Sequence, residues 1–429
     1  MLQKGNKKII TAWSFYDWAN SVYALVITST IFPIYYESVT KTETSDKVHF
    51  LGYYFINTTL YTFALAFAYL VVAIIAPLLS GIADYSGNKK RFMQFFCYLG
   101  SISCACMYFF TGIETLWIGI ATLVFACIGW AGSIVFYNAY LPEIAEPEDH
   151  DRVSAKGYAM GYIGSVILMI LNLAMVMKPE LFGIESTGSA TRISFLTVGI
   201  WWALFAQITF YYLPNNVYGN KPEGHYLFNG YLELKKVWQE LKQHKQLAKF
   251  LSAFFVYNMG VQTVMLIATL FGTKELKLES SQLITVILLI QLVAIIGAYL
   301  FSFISGKKGN IFTLKASVII WIGVCIAAYF VYSAANFYIL AGIVGLVMGG
   351  IQSLSRSTYS KILPETHDHT IYFSYYDVTE KICIVCGMGL FGIIEQASES
   401  MRNPILALIV FFIVGFILLL RIPKDSLKL

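Results

Sequence analysis

Five charged residues stand where the surrounding chain is almost wholly apolar. Asp17 lies one to two turns into an uncharged stretch, Arg356 lies toward the end of another, and Asp377, Glu380 and Lys381 open a third. Charges held among apolar residues are costly and commonly mark function. Positions 377, 380 and 381 share one face of a helix. Two kinds of chemistry are open to these residues. In one, Asp17 or Glu380 takes up a proton, and Arg356 holds a carboxylate, which its planar fork matches. In the other, acids and bases pair across helices as a gate and never touch a solute. Their shared depth near one face leans toward the gate, and the two roles are compatible if the pairs break during work. Neutral polar candidates accompany them: Asn20, Tyr23, Asn138, Asn258, Gln262, Gln291 and Gln352. A buried amide serves equally well as a helix–helix hydrogen bond. No P-loop, H-E-x-x-H, G-x-S-x-G or paired metal motif occurs, so neither an enzyme site nor an ATP-driven pump is expected.

Composition names the elements that must position these residues. Of the 429 residues, 57% are hydrophobic and 13% charged, whereas soluble domains carry roughly 25% charged residues. The apolar excess needs lipid as its solvent. A transmembrane helix takes about 20 mostly apolar residues, and such runs recur at roughly 12–36, 53–82, 92–113, 116–140, 155–177, 193–213, 250–272, 281–305, 312–333, 335–361, 371–394 and 403–421. The uncharged run 316–355 is too long for one helix and is divided at the polar break Ser333–Asn336. The seven cysteines lie inside apolar stretches and read as packing residues, the Cys383-x-x-Cys386 pair included.

Orientation follows from the loops. With the N-terminus inside, 21 of the 30 Lys and Arg fall on the cytoplasmic side and 7 on the outer side, Arg356 and Lys381 being inside spans. That asymmetry places both termini in the cytoplasm. The segment 214–249 is the longest loop, basic and cytoplasmic, and Leu234, Val237, Trp238 and Leu241 recur in it at helical spacing, as in a helix lying on the inner membrane surface. It separates two six-span halves. Internal duplication agrees: Tyr137, Leu141, Pro142 and Glu143 recur as Tyr359, Leu363, Pro364 and Glu365, at a constant offset of 222.

Between spans two and three runs Gly81-Ile-Ala-Asp84-Tyr-Ser-Gly87-Asn-Lys89-Lys90-Arg91. Gly81 permits close helix approach, Asp84 can accept from the positive N-terminus of a neighbouring helix, and Gly87 suits a tight turn. The run resembles the G-x-L-A-D-x-x-G-[RK]-[RK] signature of the major facilitator superfamily, and that resemblance implies a cytoplasmic latch between the halves. A narrower resemblance rests on Phe15-Tyr16-Asp17-Trp18-Ala19-Asn20-Ser21, on Tyr137-Asn138 through Glu143 with Gly157, Gly161 and Gly164, and on Ser355-Arg356 with Tyr375-Tyr376-Asp377-Val-Thr-Glu380-Lys381. These are similar to the autophagy-linked vacuolar amino-acid effluxers of fungi and their bacterial relatives. Met259 stands where the resemblance leads one to expect an acid.

The expected fold is therefore an all-α polytopic membrane protein, with twelve transmembrane helices in two pseudo-symmetric six-helix bundles, 1–213 and 250–429, joined by 214–249. The expected activity is secondary transport of small solutes by alternating access. The resemblance implies export of amino acids or similar solutes, and the embedded carboxylates raise proton coupling. The rival readings are an exporter of peptides, sugars or drugs, a transporter-shaped sensor or scaffold, and an intramembrane enzyme. No nucleic-acid partner, metal or cofactor is expected. The chain is expected to be a monomer in a bacterial inner membrane.

Overall fold

A computed structural model describes residues 4–41, 47–215, 232, 234–240, 244–398 and 401–422. Among the described residues, eleven helices are long and apolar enough to cross a membrane. Spans one to six are Lys7–Thr40, Asn57–Ser86, Lys89–Phe109, Ile113–Ile144, Pro147–Met177 and Thr187–Tyr212. Spans seven to ten are Lys245–Lys274, Ser280–Lys308, Asn310–Tyr329 and Ala334–Ile362. Span eleven, His369–Ser398, carries Asp377, Glu380 and Lys381 and is not among those eleven. Span twelve is Arg402–Leu420. Helices are forced here because lipid offers the backbone no hydrogen-bond partner.

Local chemistry sets the helix ends. Span one begins earlier than hydropathy indicates because Asn6 caps it, its Oδ1 accepting from Lys8 N–H at 3.0 Å. It also runs on past its hydropathic end, loosening into a π-helical turn at Tyr23–Thr28 before resuming at Ile31–Thr40. Ser333 caps span ten by accepting from Asn336 N–H at 3.3 Å, which gives the polar break in the long apolar run its structural meaning. One element departs from the all-helical expectation. Residues Lys47–Phe50 (β1) and Tyr53–Ile56 (β2) pair antiparallel, turned by Leu51 and Gly52 at φ 50° and 85°.

Two separate cores form. One joins spans one to six around Trp13, Tyr137 and Trp202, and the other joins spans seven to twelve around Tyr257, Trp321 and Tyr359, with Ala139 and Tyr162 of spans four and five reaching into it. Between spans eight and ten the approach is close enough that a Cβ at Gly349 would strike the backbone carbonyl of Ala294, as small residues allow in membrane helices. The outward faces stay apolar: Phe63, Phe67, Leu70 and Ile74 of span two are all more than half exposed and share one helical face. No disulfide joins the seven cysteines.

The expected surface helix lies partly outside the described residues, including Leu241. Residues 234–240 are helical and rest on span eleven: Val237 is fully buried, the Trp238 ring centroid lies 5.4 Å from that of Tyr375, and Tyr375 Oη donates to Leu234 O at 3.1 Å.

Candidate functional site

The polar contacts between the halves gather toward one end of the molecule. The first and last described segments lie there, since Gly5 N–H donates to Ile144 O at 2.9 Å and Lys249 Nζ donates to Arg421 O at 3.3 Å. Asp84 closes span two. Its Oδ2 accepts at 2.9 Å from Ile371 N–H in the first turn of span eleven, where N–H groups have no intrahelical acceptor. Gly87, at φ 67°, ends the helix in the left-handed region and turns the chain into span three. Gly81 is buried one turn earlier. Lys89 is buried and pairs with Glu143, whose Oε1 also lies 3.3 Å from His369 Nδ1. Lys90 is buried too, donating to Leu213 O at 2.8 Å, while Arg91 stays exposed.

A second crossing mirrors the first. Asp151, at the start of span five, accepts from Ser305 Oγ at 2.7 Å, Asn310 Nδ2 at 2.6 Å and Lys361 Nζ at 2.8 Å. Gly309, at φ 85°, turns span eight into span nine. Gly309 and Asn310 stand 222 residues after Gly87 and Asn88, as Tyr359 stands after Tyr137.

Deeper between the bundles lies Arg356, 2% exposed. Its Nη1 lies 3.3 Å from both Asp17 Oδ2 and Asn138 Oδ1, its Nε donates to Ser154 Oγ at 2.9 Å, and its Nη2 donates to Ser154 O at 2.8 Å. The guanidinium also faces the rings of Trp13 and Tyr158 at 4.9 and 4.2 Å. Tyr137 Oη donates to the same Asp17 oxygen at 2.6 Å, and Trp13 Nε1 donates to Tyr137 O at 2.9 Å. Room for this pair comes from Gly157. A Cβ there would lie 2.5 Å from Asp17 Oδ2 and 2.9 Å from Arg356 Nη2. Gly161 and Gly164 on the same helix seat span five against Ser21 and Trp18 of span one.

The charges of span eleven form another group. Lys381 Nζ donates to Asp377 Oδ1 at 2.9 Å and to Glu380 Oε2 at 3.3 Å, and Gln262 Nε2 of span seven donates to Glu380 Oε1 at 3.1 Å. The ammonium lies 5.4 Å from the Trp130 ring and 6.0 Å from the Tyr69 ring, both in the other half. Asp377 Oδ2 and Asn258 Nδ2 are buried with no hydrogen-bond partner among the described residues.

Asn20 and Tyr23 belong to the packing of the first bundle. Asn20 is 1% exposed, and Tyr23 sits among Trp130 and Trp202 at 5.7 and 6.1 Å. Gln352 accepts from Tyr162 Oη at 2.6 Å. A small, partly open pocket lies elsewhere, lined by apolar side chains such as Phe271, Val324 and Phe337 and by Cys325, and offers a polar solute no partner. Tyr137, Ser154, Tyr158, Asp151, Asn310, Lys361 and His369 join these contacts without having been marked as site residues by the sequence. Tyr137 and Glu143 carried a signal in the internal repeat, although its second acid, Glu365, is exposed.

The model of the vacuole effluxer Atg22-like family matches residues 5–428 of this chain. The chain belongs to that family. It is 32% identical over 423 residues to the uncharacterized MFS-type transporter YxiO of Bacillus subtilis (strain 168), covering 97% of this chain and 95% of the relative. It is 24% identical to autophagy-related protein 22 of Yarrowia lipolytica, covering 95% of this chain and 82% of that one. The fold is that of the major facilitator superfamily. The crystal structure of the transporter FucP in the outward conformation is similar at TM-score 0.72 and 12% identity, covering 98% and 99% of the two chains. The proton:xylose symporter XylE is similar at TM-score 0.70 and 11% identity, covering 97% and 96%. The Atg22-like chain is thus a membrane transporter with twelve helices in two pseudo-symmetric bundles.

Proposed function

We propose that this transporter moves amino acids, or solutes of similar size and charge, out of the cytoplasm across a bacterial cell membrane. The halves 1–213 and 250–429 rock against each other, linked by 214–249, and the arrangement described here is closed toward the cytoplasm. The Arg356–Asp17 contact carries this reading. It is buried and joins span ten to span one, so the bundles part there only by breaking it. Breaking a buried pair by removing one partner costs about 3–5 kcal/mol. During transport the guanidinium must therefore exchange Asp17 for another acceptor, such as water or a solute carboxylate. The Asp84 and Asp151 crossings add two further ties toward the same face. The 21-to-7 bias of positive charge supports a cytoplasmic face at that end and hence cytoplasmic termini. The family's description as effluxers supports export, and the Bacillus relative supports a bacterial membrane.

Counterflow in proteoliposomes tests the proposal. Vesicles preloaded with leucine, lysine or glutamate are expected to accumulate the labelled form of at least one of them. Exchange of a sugar or dipeptide but no amino acid would discard the substrate class. Exchange of no solute at all would discard transport.

A further inference from the structure

The two buried charge groups differ in their arithmetic. Asp17 and Arg356 balance. Asp377, Glu380 and Lys381 do not: two acids share one ammonium, leaving an excess of one negative charge inside the membrane. Among the described residues, no further ion pair reaches these three side chains. The elements packed around the cluster bring Tyr69 and Cys127 from spans two and four, Tyr158 from span five and Gln262 from span seven. On span eleven itself, Tyr376 and Cys383 are the neighbours. Arg356, the cation that shares the neighbour Tyr158 with the cluster, is already engaged by Asp17. An uncompensated charge at such a position is costly.

Three geometric features show where the missing charge goes. Asp377 Oδ2 is buried and unpartnered, so one carboxylate oxygen stands open as an acceptor. Glu380 is the least buried of the three, its side chain 23% exposed against 2% and 3% for Asp377 and Lys381, so an ion reaches the cluster through it. The aromatic faces of Trp130 and Tyr69 already accommodate one ammonium, that of Lys381.

We propose that the Asp377–Glu380–Lys381 cluster, and not the Asp17–Arg356 pair, is where this transporter takes up one positive charge per cycle, supplied by a proton or by the ammonium group of a solute. Lys381 is the internal cation that holds the two acids ready. Because Trp130 and Tyr69 belong to the opposite half, separation of the bundles strips the aromatic faces from the site and favours release. The proposal rests on the transport reading above.

The test is infrared difference spectroscopy of the purified full chain in lipid nanodiscs, titrated from neutral to acid pH. It needs no known substrate, so a failed counterflow experiment leaves it readable. If the charge is a proton, the carbonyl stretch of a protonated carboxyl grows in the wild type and in Asp17→Asn, and is lost in Glu380→Gln or Asp377→Asn. Lys381→Gln keeps both acids and removes their internal cation, so the band appears at higher pH. If the charge is an ammonium, the band is absent, and propylammonium chloride raises the apparent Tm of the wild type but not of Glu380→Gln. A band lost in Asp17→Asn and retained in both span-eleven variants overturns the proposal. So does the absence of both a band and stabilisation by propylammonium.

Discussion

Arg356 donates to Asp17 across 3.3 Å, joining residues 339 apart in the chain and closing one bundle on the other. The contact shares its oxygen with the Tyr137 hydroxyl, so three helices converge on one buried carboxylate atom.

Arg356→Ala is expected to lower apparent stability by about 3–5 kcal/mol, because Asp17 is then left buried without a counter-charge. The double variant Asp17→Asn with Arg356→Gln removes both charges and should regain most of that loss. Thermal unfolding in detergent reads both. Equal losses in the single and double variants would show that the ion pair contributes nothing beyond packing.

Gly157→Ala places a methyl group within 2.5 Å of Asp17 Oδ2. Overpacking of this kind costs about 1–3 kcal/mol. Since the crowding falls on the closed gate, counterflow should drop more steeply than expression. Gly389→Ala serves as the control, since its added Cβ would meet open space.

Asp84→Asn keeps the size of the side chain and removes the charge facing the first turn of span eleven. That interaction is worth about 0.3–1 kcal/mol. The population with the halves apart should therefore rise about twofold to fivefold. Spin labels at the exposed positions Arg91 and Lys308, one in each half, report the change as a longer distance.

Asp151 and Lys361 pair at 2.8 Å with both side chains largely buried. A double-mutant cycle with Asp151→Asn and Lys361→Met should give a coupling energy of about 0.5–3 kcal/mol. A value near zero in unfolding experiments would remove this contact from the set of ties between the halves.

Much of this was legible in the chain itself. Span positions follow from hydropathy because lipid penalises every unsatisfied backbone group, a constraint that acts on each segment separately. Asp84 and Gly87 announced a helix end and a turn because capping and left-handed backbone are local matters. The embedded charges stood out for the same reason: an acid or base in an apolar run is visible without knowing its neighbours. Partners were not visible. Whether Asp17 meets Arg356, or Glu143 meets Lys89 and His369, depends on the rotation and depth of helices far apart in sequence, and packing alone settles those. Glu143 and Asp151 lie beyond the apolar stretches of spans four and five and became buried anchors because those helix ends are clamped between the halves. Lys90, one of a basic run, turned inward to cap the carbonyl of Leu213 at the end of span six. The sequence determined that this is a two-bundle membrane transporter with charges inside it. Only the tertiary structure decided which charges balance each other and which cluster keeps one negative charge over, because charge balance is a property of neighbours in space.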